Sequence, residues 1–222
     1  YKMKKYFVVL IIATIKIPFF SEFLYAADKF REYNFDTGSY VRSTNINNFG
    51  SPGIIDLPSG YRLTDGEIVV QQRFQKTLFR STLATQITPR LTLAFSYSSQ
   101  GHKDPNHQFL TGRYNHDRSF HAHYGLWDER DYFPSLAIGV RDFVGTGFYS
   151  SEYIVGSKTF SDFQVSAGLG FGRLAGRNTI TNPLSFLNSR FKTRGDNNVG
   201  AGGTFSSYKN WFSGQAGLFA GV

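Results

Sequence analysis

The hydrophobic and polar positions of residues 163–171 alternate strictly. The odd positions are apolar and the even ones are small or polar, so the segment predicts a β-strand with one apolar face. The same alternation recurs in segments 91–98, 119–126 and 135–141. A soluble β-sandwich also produces this pattern, so it predicts strands without fixing the environment of their apolar face.

The strand lengths and the order of long and short loops favour a fold that spans a membrane. Long polar loops at 99–117 and 173–198 alternate with short turns, as they do in outer-membrane barrels. Several segments have about ten residues, close to the roughly 9 to 11 that a tilted strand needs to cross a bilayer. The predicted strands occupy residues 67–74, 78–87, 91–98, 119–126, 135–141, 148–159, 163–171, 199–206 and 211–222.

We therefore predict an all-β fold, an antiparallel up-and-down outer-membrane β-barrel over residues 66–222. The number of predicted strands is odd, and the chain stops at Val222 without a closing turn. Single-chain bacterial barrels usually close on an even count, so we expect an incomplete N-terminal part of a larger barrel.

The N-terminus predicts export. Lys4 and Lys5 precede an apolar run at 6–15, and Ala26 and Ala27 follow it, as in a secretory signal peptide over residues 1–27. A helical anchor is the alternative, but the run is shorter than the roughly 20 residues needed. We expect residues 28–65 to be an irregular leader with a turn-rich segment, and the protein to lie in the bacterial outer membrane.

Composition narrows the chemistry. The 222 residues include 23 Gly, 23 Phe and 13 Tyr, a mixture that disfavours helices and suits strands. The absence of cysteine excludes disulfides and thiolate chemistry. The net charge of +8 favours anionic glycans, lipopolysaccharide phosphates or nucleic acid, although solvated basic loops explain it equally well. Nucleic acid does not suit an outer-membrane location.

The sequence offers weak candidates for catalysis or metal binding. His121 and His123 lie two apart on one strand face and could share a zinc ion. A wet barrel lumen explains the same pair, and spacing fixes no third ligand, so we expect no metal and no cofactor. Acidic residues such as Asp128 and Asp131 are candidates by residue type alone, and no nucleophile elbow or phosphate loop is present. We expect a protein that is not an enzyme.

Charged side chains give two candidate contact sets. The first should face the lumen, because a lipid-facing Arg or Lys costs about 2 to 4 kcal/mol at mid-depth. Its members could pair with each other or contact a glycan: Arg141, Asp142, Glu152 and Lys158. The second lies in the predicted loop at 173–198 and could bind phosphates or carboxylates: Arg173, Arg177, Arg190, Lys192 and Arg194. The apolar side chains assigned to lipid are Phe163, Val165, Leu169 and Phe171.

Several segments resemble the YjbH family of outer-membrane proteins linked to exopolysaccharide production and export. They are GSPGIIDLPSG, DGEI, DRSF, LWDERDYFPSLAIGVRDFVGTGFYSSEYIVGSK and AGLGFGRL, in that order from about residue 49. The resemblance implies a longer barrel with a lipoprotein or ordinary signal peptide. This sequence lacks a lipobox cysteine and the family's C-terminal portion.

The resemblance implies a process and a location more than a mechanism. The first hypothesis is a non-enzymatic barrel that assists biosynthesis, secretion or surface display of an exopolysaccharide. The expected partners are outer-membrane lipid or lipopolysaccharide, an anionic exopolysaccharide and periplasmic polysaccharide-export proteins. A general porin or solute channel and a glycan-modifying enzyme in a barrel are the alternatives.

Overall fold

The protein divides into two units, residues 1–43 and 44–222. The structure, a computed structural model, describes residues 33–34, 39–40, 45–103, 110–160, 163–176, 179–195, 204–205 and 208–222. In the first unit, strands β1 (Tyr33–Asn34) and β2 (Ser39–Tyr40) form an antiparallel pair. The predicted signal peptide lies outside the described residues.

The second unit is built on one large antiparallel sheet. Its strand order is β12-β14-β11-β10-β9-β8-β7-β6-β5, and β13 pairs with β9. The strands are β5 (Ile68–Gln75), β6 (Leu78–Thr88), β7 (Leu91–Lys103), β8 (Leu110–Trp127), β9 (Ser135–Gly145), β10 (Ser151–Phe160), β11 (Phe163–Gly172), β12 (Thr179–Ile180), β13 (Thr204–Phe205) and β14 (Ala216–Gly221). Strands β5 to β11 follow one another along the chain and across the sheet, which confirms the all-β, antiparallel up-and-down prediction. In the described part of the chain, β5 and β12 are the edges and do not pair with each other.

The two predicted long loops differ from the structure. Residues 99–117 belong largely to β7 and β8, and Lys103 pairs with Leu110 across the hairpin. The segment is mostly polar and shows no clear apolar alternation, so its pattern did not predict these strand extensions. The predicted loop at 173–198 carries β12 and three short 3-10 helices, Arg173–Ala175, Pro183–Phe186 and Ser189–Phe191. Among the described residues no helix is long and apolar enough to cross a membrane.

One face of the sheet carries a continuous apolar row, and we call it the outer face. The register aligns one apolar residue from each of six neighbouring strands: Leu91, Tyr124, Ile138, Ile154, Leu169 and Leu218. Leu218 at the end of this row is 64% exposed, and Phe163 on the same face is 67% exposed. Exposed apolar patches of this kind are typical of surfaces that contact another protein, a ligand or a membrane.

The opposite, inner face carries many polar side chains beside a small apolar core of Ala137, Tyr153 and Val155, and residues 45–63 cover it. Its buried positions include serine, threonine, histidine and arginine side chains from β6 to β10: Arg80, Thr82, Thr92, Ser96, His121, His123, Ser135, Arg141 and Ser157. A Cβ added to Gly50 would lie 2.6 Å from Thr82 Cγ2, so the backbone of the segment rests directly on the sheet. Residues 45–63 belong to the predicted irregular leader with its turn-rich segment, and they pack against the inner face.

A buried asparagine organises the covering segment. Asn47 is fully buried, its Oδ1 accepts from the backbone N–H of Phe49 at 2.9 Å, and its Nδ2 donates to Ser51 Oγ at 2.8 Å. The segment then forms a small hairpin of β3 (Gly53–Ile54) and β4 (Leu57–Pro58). The Asn47 Oδ1 contact satisfies the backbone N–H of Phe49, which would otherwise be buried without a partner. The result is a defined turn that points Phe49 at the sheet.

Candidate functional site

An arginine-rich cavity of about 320 Å³ lies between the covering segment and the inner face. Strands β5, β6 and β9 and the turns after β9 and β11 line it. Four guanidinium groups and one carboxylate contribute to the lining: Arg73, Arg80, Arg141, Arg173 and Asp56. The cavity lies at the sheet end that carries the connection from β11 to β14.

Arg80 is held between two aromatic rings. Its Cζ lies 4.5 Å from the ring centre of Phe49 and 4.4 Å from that of Tyr149. Such cation–π contacts orient the planar guanidinium without using its N–H groups. Arg80 is 3% exposed, and among the described residues its Nη1 donates to the carbonyl oxygen of Asn48 at 3.4 Å. The aromatic contacts and this bond hold the guanidinium at the wall of the cavity.

Arg141 contacts the same Phe49 ring. Its Cζ is 4.2 Å from the ring centre, and its Nη2 donates to the carbonyl oxygen of Asp56 at 2.8 Å. The residue is 3% exposed, and its Nε has no hydrogen-bond partner among the described residues. A buried donor without a partner costs about 1 to 3 kcal/mol, so an acceptor bound in the cavity would stabilise it.

The two remaining arginines flank this pair. Arg73 donates to Asp56 Oδ1 at 3.2 Å and to Gln75 Oε1 at 2.8 Å. Arg173 is exposed, and its Cζ lies 4.6 Å from the ring centre of Phe148. Several fixed arginines around a small cavity suit a planar or tetrahedral oxyanion, because guanidinium groups donate paired hydrogen bonds.

The structure separates the predicted lumen set. Arg141 lies on the inner face, as its parity predicts, and Asp142 follows it at a positive φ of 52°. Asp142 is buried beside the cavity, and its Oδ2 accepts from the N–H of Tyr149 at 2.8 Å. Glu152 and Lys158 lie instead on the outer-face side of β10, because Tyr153 and Val155 take the inner positions.

The inward orientation predicted for Glu152 is therefore wrong, and a loop explains how the outer side tolerates its charge. Arg194 binds the Glu152 carboxylate with both terminal nitrogens, at 2.6 and 2.9 Å, and the N–H of Phe212 donates to it at 3.0 Å. The Glu152 side chain is 1% exposed. Phe171, its neighbour across the strand pair, is also fully buried and packs on Phe212, so its predicted contact with lipid is wrong too.

Lys158 binds the turn at the opposite end of the sheet. Its Nζ lies 3.2 Å from Glu129 Oε1 and donates to the carbonyl oxygen of Asp131 at 3.0 Å. Burial alone would raise the pKa of Glu129, but hydrogen bonds from Tyr61, Thr159 and Lys158 hold it below its ordinary range. Lys158 is thus a structural contact of the turn and does not line the cavity.

Comparison with known proteins identifies the group to which the chain belongs. The sequence pattern of the YjbH family, described as "Exopolysaccharide biosynthesis protein YbjH", matches residues 45–222. This chain belongs to the YjbH family. The family is related to exopolysaccharide biosynthesis, and the resemblance predicted from the sequence motifs is confirmed.

A curated relative, "Uncharacterized lipoprotein YjbH" of Escherichia coli (strain K12), is 28% identical to this YjbH-family chain over 176 residues. The match covers 78% of this chain and 25% of the relative, so the chain spans about a quarter of that protein's length. No solved structure matches the chain significantly.

The histidines have structural partners in this YjbH-family fold. His121 Nδ1 accepts from the N–H of Asp142 at 3.1 Å, and its Nε2 lies 3.0 Å from Ser96 Oγ. His123 Nε2 donates to the carbonyl oxygen of Tyr61 at 2.8 Å, while Nδ1 lies 2.9 Å from the Tyr153 hydroxyl. Both nitrogens of each ring therefore have a hydrogen-bond partner within the fold. In the described part of the chain, no group of three or more histidine and acidic residues could hold a metal.

The predicted loop set is also divided. Arg173 lines the cavity, Arg194 binds Glu152, and Arg177 lies outside the described residues. Arg190 and Lys192 are exposed on or beside a 3-10 helix. The structure thus brings only one member of this set to the cavity.

Sequence reasoning missed Arg73 and Arg80. Arg80 shares the inner parity of Thr82 and Ala84, and the β5–β6 register pairs it with Arg73. The available signal was a charge at the small or polar positions of two successive strands. It pointed to the inner face but could not show that Arg141 would lie nearby.

Proposed function

We propose that this chain forms part of the wall of an outer-membrane β-barrel that assists secretion or surface display of an exopolysaccharide without modifying it. The observation that carries the proposal is the contrast between the sheet's two faces. An apolar row of exposed and half-buried side chains crosses six strands on one side, and buried hydroxyl, imidazole and guanidinium groups share the other side with a small apolar core. A barrel in a bilayer has this polarity, with its apolar side towards lipid.

The covering segment favours assistance over free diffusion of solutes. Residues 45–63 fill much of the inner face, and Gly60 N–H donates to Ser157 Oγ at 2.7 Å while His123 binds the Tyr61 carbonyl. A general porin instead keeps an aqueous lumen. The polar inner surface and the arginine cavity beside this segment suit contact with a charged polymer.

Two of the acidic residues, Glu129 and Glu152, support a role without catalysis. A glycosidase needs two carboxyl groups placed about 5 to 9.5 Å apart across a sugar. Glu152 is buried beneath a loop and bound by Arg194, and Glu129 is bound by Lys158. Neither is free to act as a general acid towards a bound glycan.

Location and process can be tested separately. Membranes separated on a sucrose gradient should place the protein in the outer-membrane fraction, and recovery as soluble material without detergent would refute the location. Deleting the gene should lower the amount of polysaccharide on the cell surface, as measured by uronic-acid and hexose assays of washed cells. Unchanged surface polysaccharide would refute the role.

Conductance distinguishes the proposal from a porin. In planar bilayers, we expect little conductance, and any current should be blocked by exopolysaccharide from the same organism and not by small sugars. Steady conductance that small sugars enter freely would favour the general channel. Shortening of the purified polymer by the purified protein would favour the enzyme.

A further inference from the structure

We propose that the arginine cavity binds the anionic group of an acidic saccharide unit, a carboxylate or a sugar phosphate. This inference rests on the proposed contact with an exopolysaccharide and names the chemical feature that the protein recognises. The ligand is a single charged unit of the polymer, because about 320 Å³ is at the lower end of the range for ligand pockets.

The cavity holds more positive than negative charge. Asp56 is the one carboxylate in its lining, and its side chain is 55% exposed. Two further carboxylates, Asp117 and Asp142, lie near enough to interact electrostatically with Arg80. In the described structure the four guanidiniums still outnumber these three carboxylates, and an anionic ligand would add negative charge.

The guanidinium groups are prepared for binding before a ligand arrives. Phe49 contacts both Arg80 and Arg141, which restricts the movement of both guanidinium groups. Both arginines are at least nine-tenths buried, and the Arg141 Nε lacks a partner in the described structure. Donors fixed in advance lose little side-chain entropy when they bind. This arrangement suits recognition of one oxyanion more than loose attraction of any polyanion.

The position of the cavity also suits a polymer at the cell surface. It lies at the sheet end that carries the long connection from β11 to β14, and long loops of outer-membrane barrels face outwards. Arg173 at the rim is exposed, and the two buried arginines lie further in. A chain passing this end could therefore meet Arg173 first and then place one acidic unit in the cavity.

Calorimetric titration of the whole chain in detergent tests the inference. The probes are trigalacturonate for a sugar carboxylate, glucose 6-phosphate for a sugar phosphate, inorganic phosphate for the bare ion, and maltotriose as the neutral control. We expect one of the two acidic sugars to bind more tightly than inorganic phosphate, maltotriose not to bind, and higher salt to weaken binding. The tighter of the two identifies the anion. Equal binding of maltotriose, or equal or tighter binding of inorganic phosphate, would overturn the proposal.

Matched variants locate the binding. Arg173→Gln and Arg80→Gln should each weaken binding of the acidic sugar about tenfold, because each removes a charge-assisted donor. Arg130→Gln removes the same charge from an exposed position at the opposite end of the sheet and should bind like the parent. Arg173 is exposed, so its variant should fold even if Arg80→Gln does not, and circular dichroism checks both. Parent-like affinity in Arg173→Gln would overturn the assignment.

Failure of this inference can be told apart from failure of the proposed function. If both arginine variants bind acidic sugar normally while deletion of the gene still lowers surface polysaccharide, the polymer contact lies elsewhere. If the protein is not in the outer membrane, the proposed function itself fails, whatever the titration shows.

Discussion

The buried ion pair between Glu152 and Arg194 should control the order of the loop that covers this part of the sheet. Arg194 also donates to the carbonyl oxygen of Asn210 at 3.1 Å, and Phe212 donates its N–H to Glu152. Both ends of the described loop therefore converge on one carboxylate. We expect Arg194→Gln to release the loop while the strands stay paired.

The size of the effect follows from burial. Removing one partner of a buried ion pair typically costs about 3 to 5 kcal/mol, because the other charge is left unpaired. The Arg194 side chain is 15% exposed, and the Phe212 N–H still contacts the carboxylate, so we expect about 3 kcal/mol, at the lower end of that range. At about 1.4 kcal/mol for each factor of ten, loop opening should become roughly a hundredfold more frequent.

Hydrogen exchange of the detergent-solubilised protein measures this opening. Amides such as that of Phe212 should exchange faster in Arg194→Gln, whereas Arg190→Gln, an exposed change in the same loop, should match the parent. The double variant Glu152→Gln with Arg194→Gln should recover part of the protection, because it leaves no unpaired charge. Parent-like protection in Arg194→Gln would refute the reasoning, and so would a double variant that loses more than both single variants together.

Three further changes test the inner face and the distant turn by urea unfolding. Gly139→Ala would place a methyl group 2.2 Å from the Tyr153 ring and should lower the free energy of unfolding by about 1 to 3 kcal/mol. Gly156→Ala is the control, because no heavy atom lies nearer than 3.7 Å to the added methyl group, and it should cost little. Equal losses of stability in the two variants would contradict this packing. His123→Ala should lower the free energy of unfolding by about 1 to 3 kcal/mol, because it leaves the Tyr153 hydroxyl without that partner. Added zinc should not stabilise the parent protein. Stabilisation by zinc would restore the metal hypothesis. Because folding lowers the pKa of Glu129, its carboxylate stabilises the protein above its ordinary value of 4.5, and this contribution is lost as the pH falls through the lowered pKa. The parent should therefore approach the stability of Glu129→Gln in acid, and a constant difference between them would argue against this shift.

The sequence predicts the strands well because their apolar positions alternate. In β11, Phe163 and Val165 take the outer face as expected, and the observed strand Phe163–Gly172 ends one residue from the predicted boundary. Local alternation is a property of the strand itself, so it needs no information about distant residues. Around residues 99–117 the alternation is weaker, so the same local criterion did not predict the extensions of β7 and β8.

Local alternation could not predict which side chains of β10 face inwards and which face outwards. The strand has two sets of positions, and the charges of Glu152 and Lys158 suggested that their set should be inside. The structure reverses this assignment because Tyr153 finds a hydrogen-bond partner in His123, thirty residues earlier. Glu152 in turn depends on Arg194, forty-two residues later. A strand shows that it has two faces, but its partners decide which one is buried.

The cavity depends on the same long-range information. Arg73 and Arg80 approach each other because the β5–β6 hairpin sets their register, and Arg141 joins them through the sheet and through Phe49. Each arginine alone looks like an ordinary surface charge in the sequence. Their common feature is an inner-face position, which becomes visible only after the face of every strand is known. Where several strands each place an arginine on one side and fewer acids accompany them, an excess of positive charge is left on that side, and such an excess favours binding of an anionic ligand.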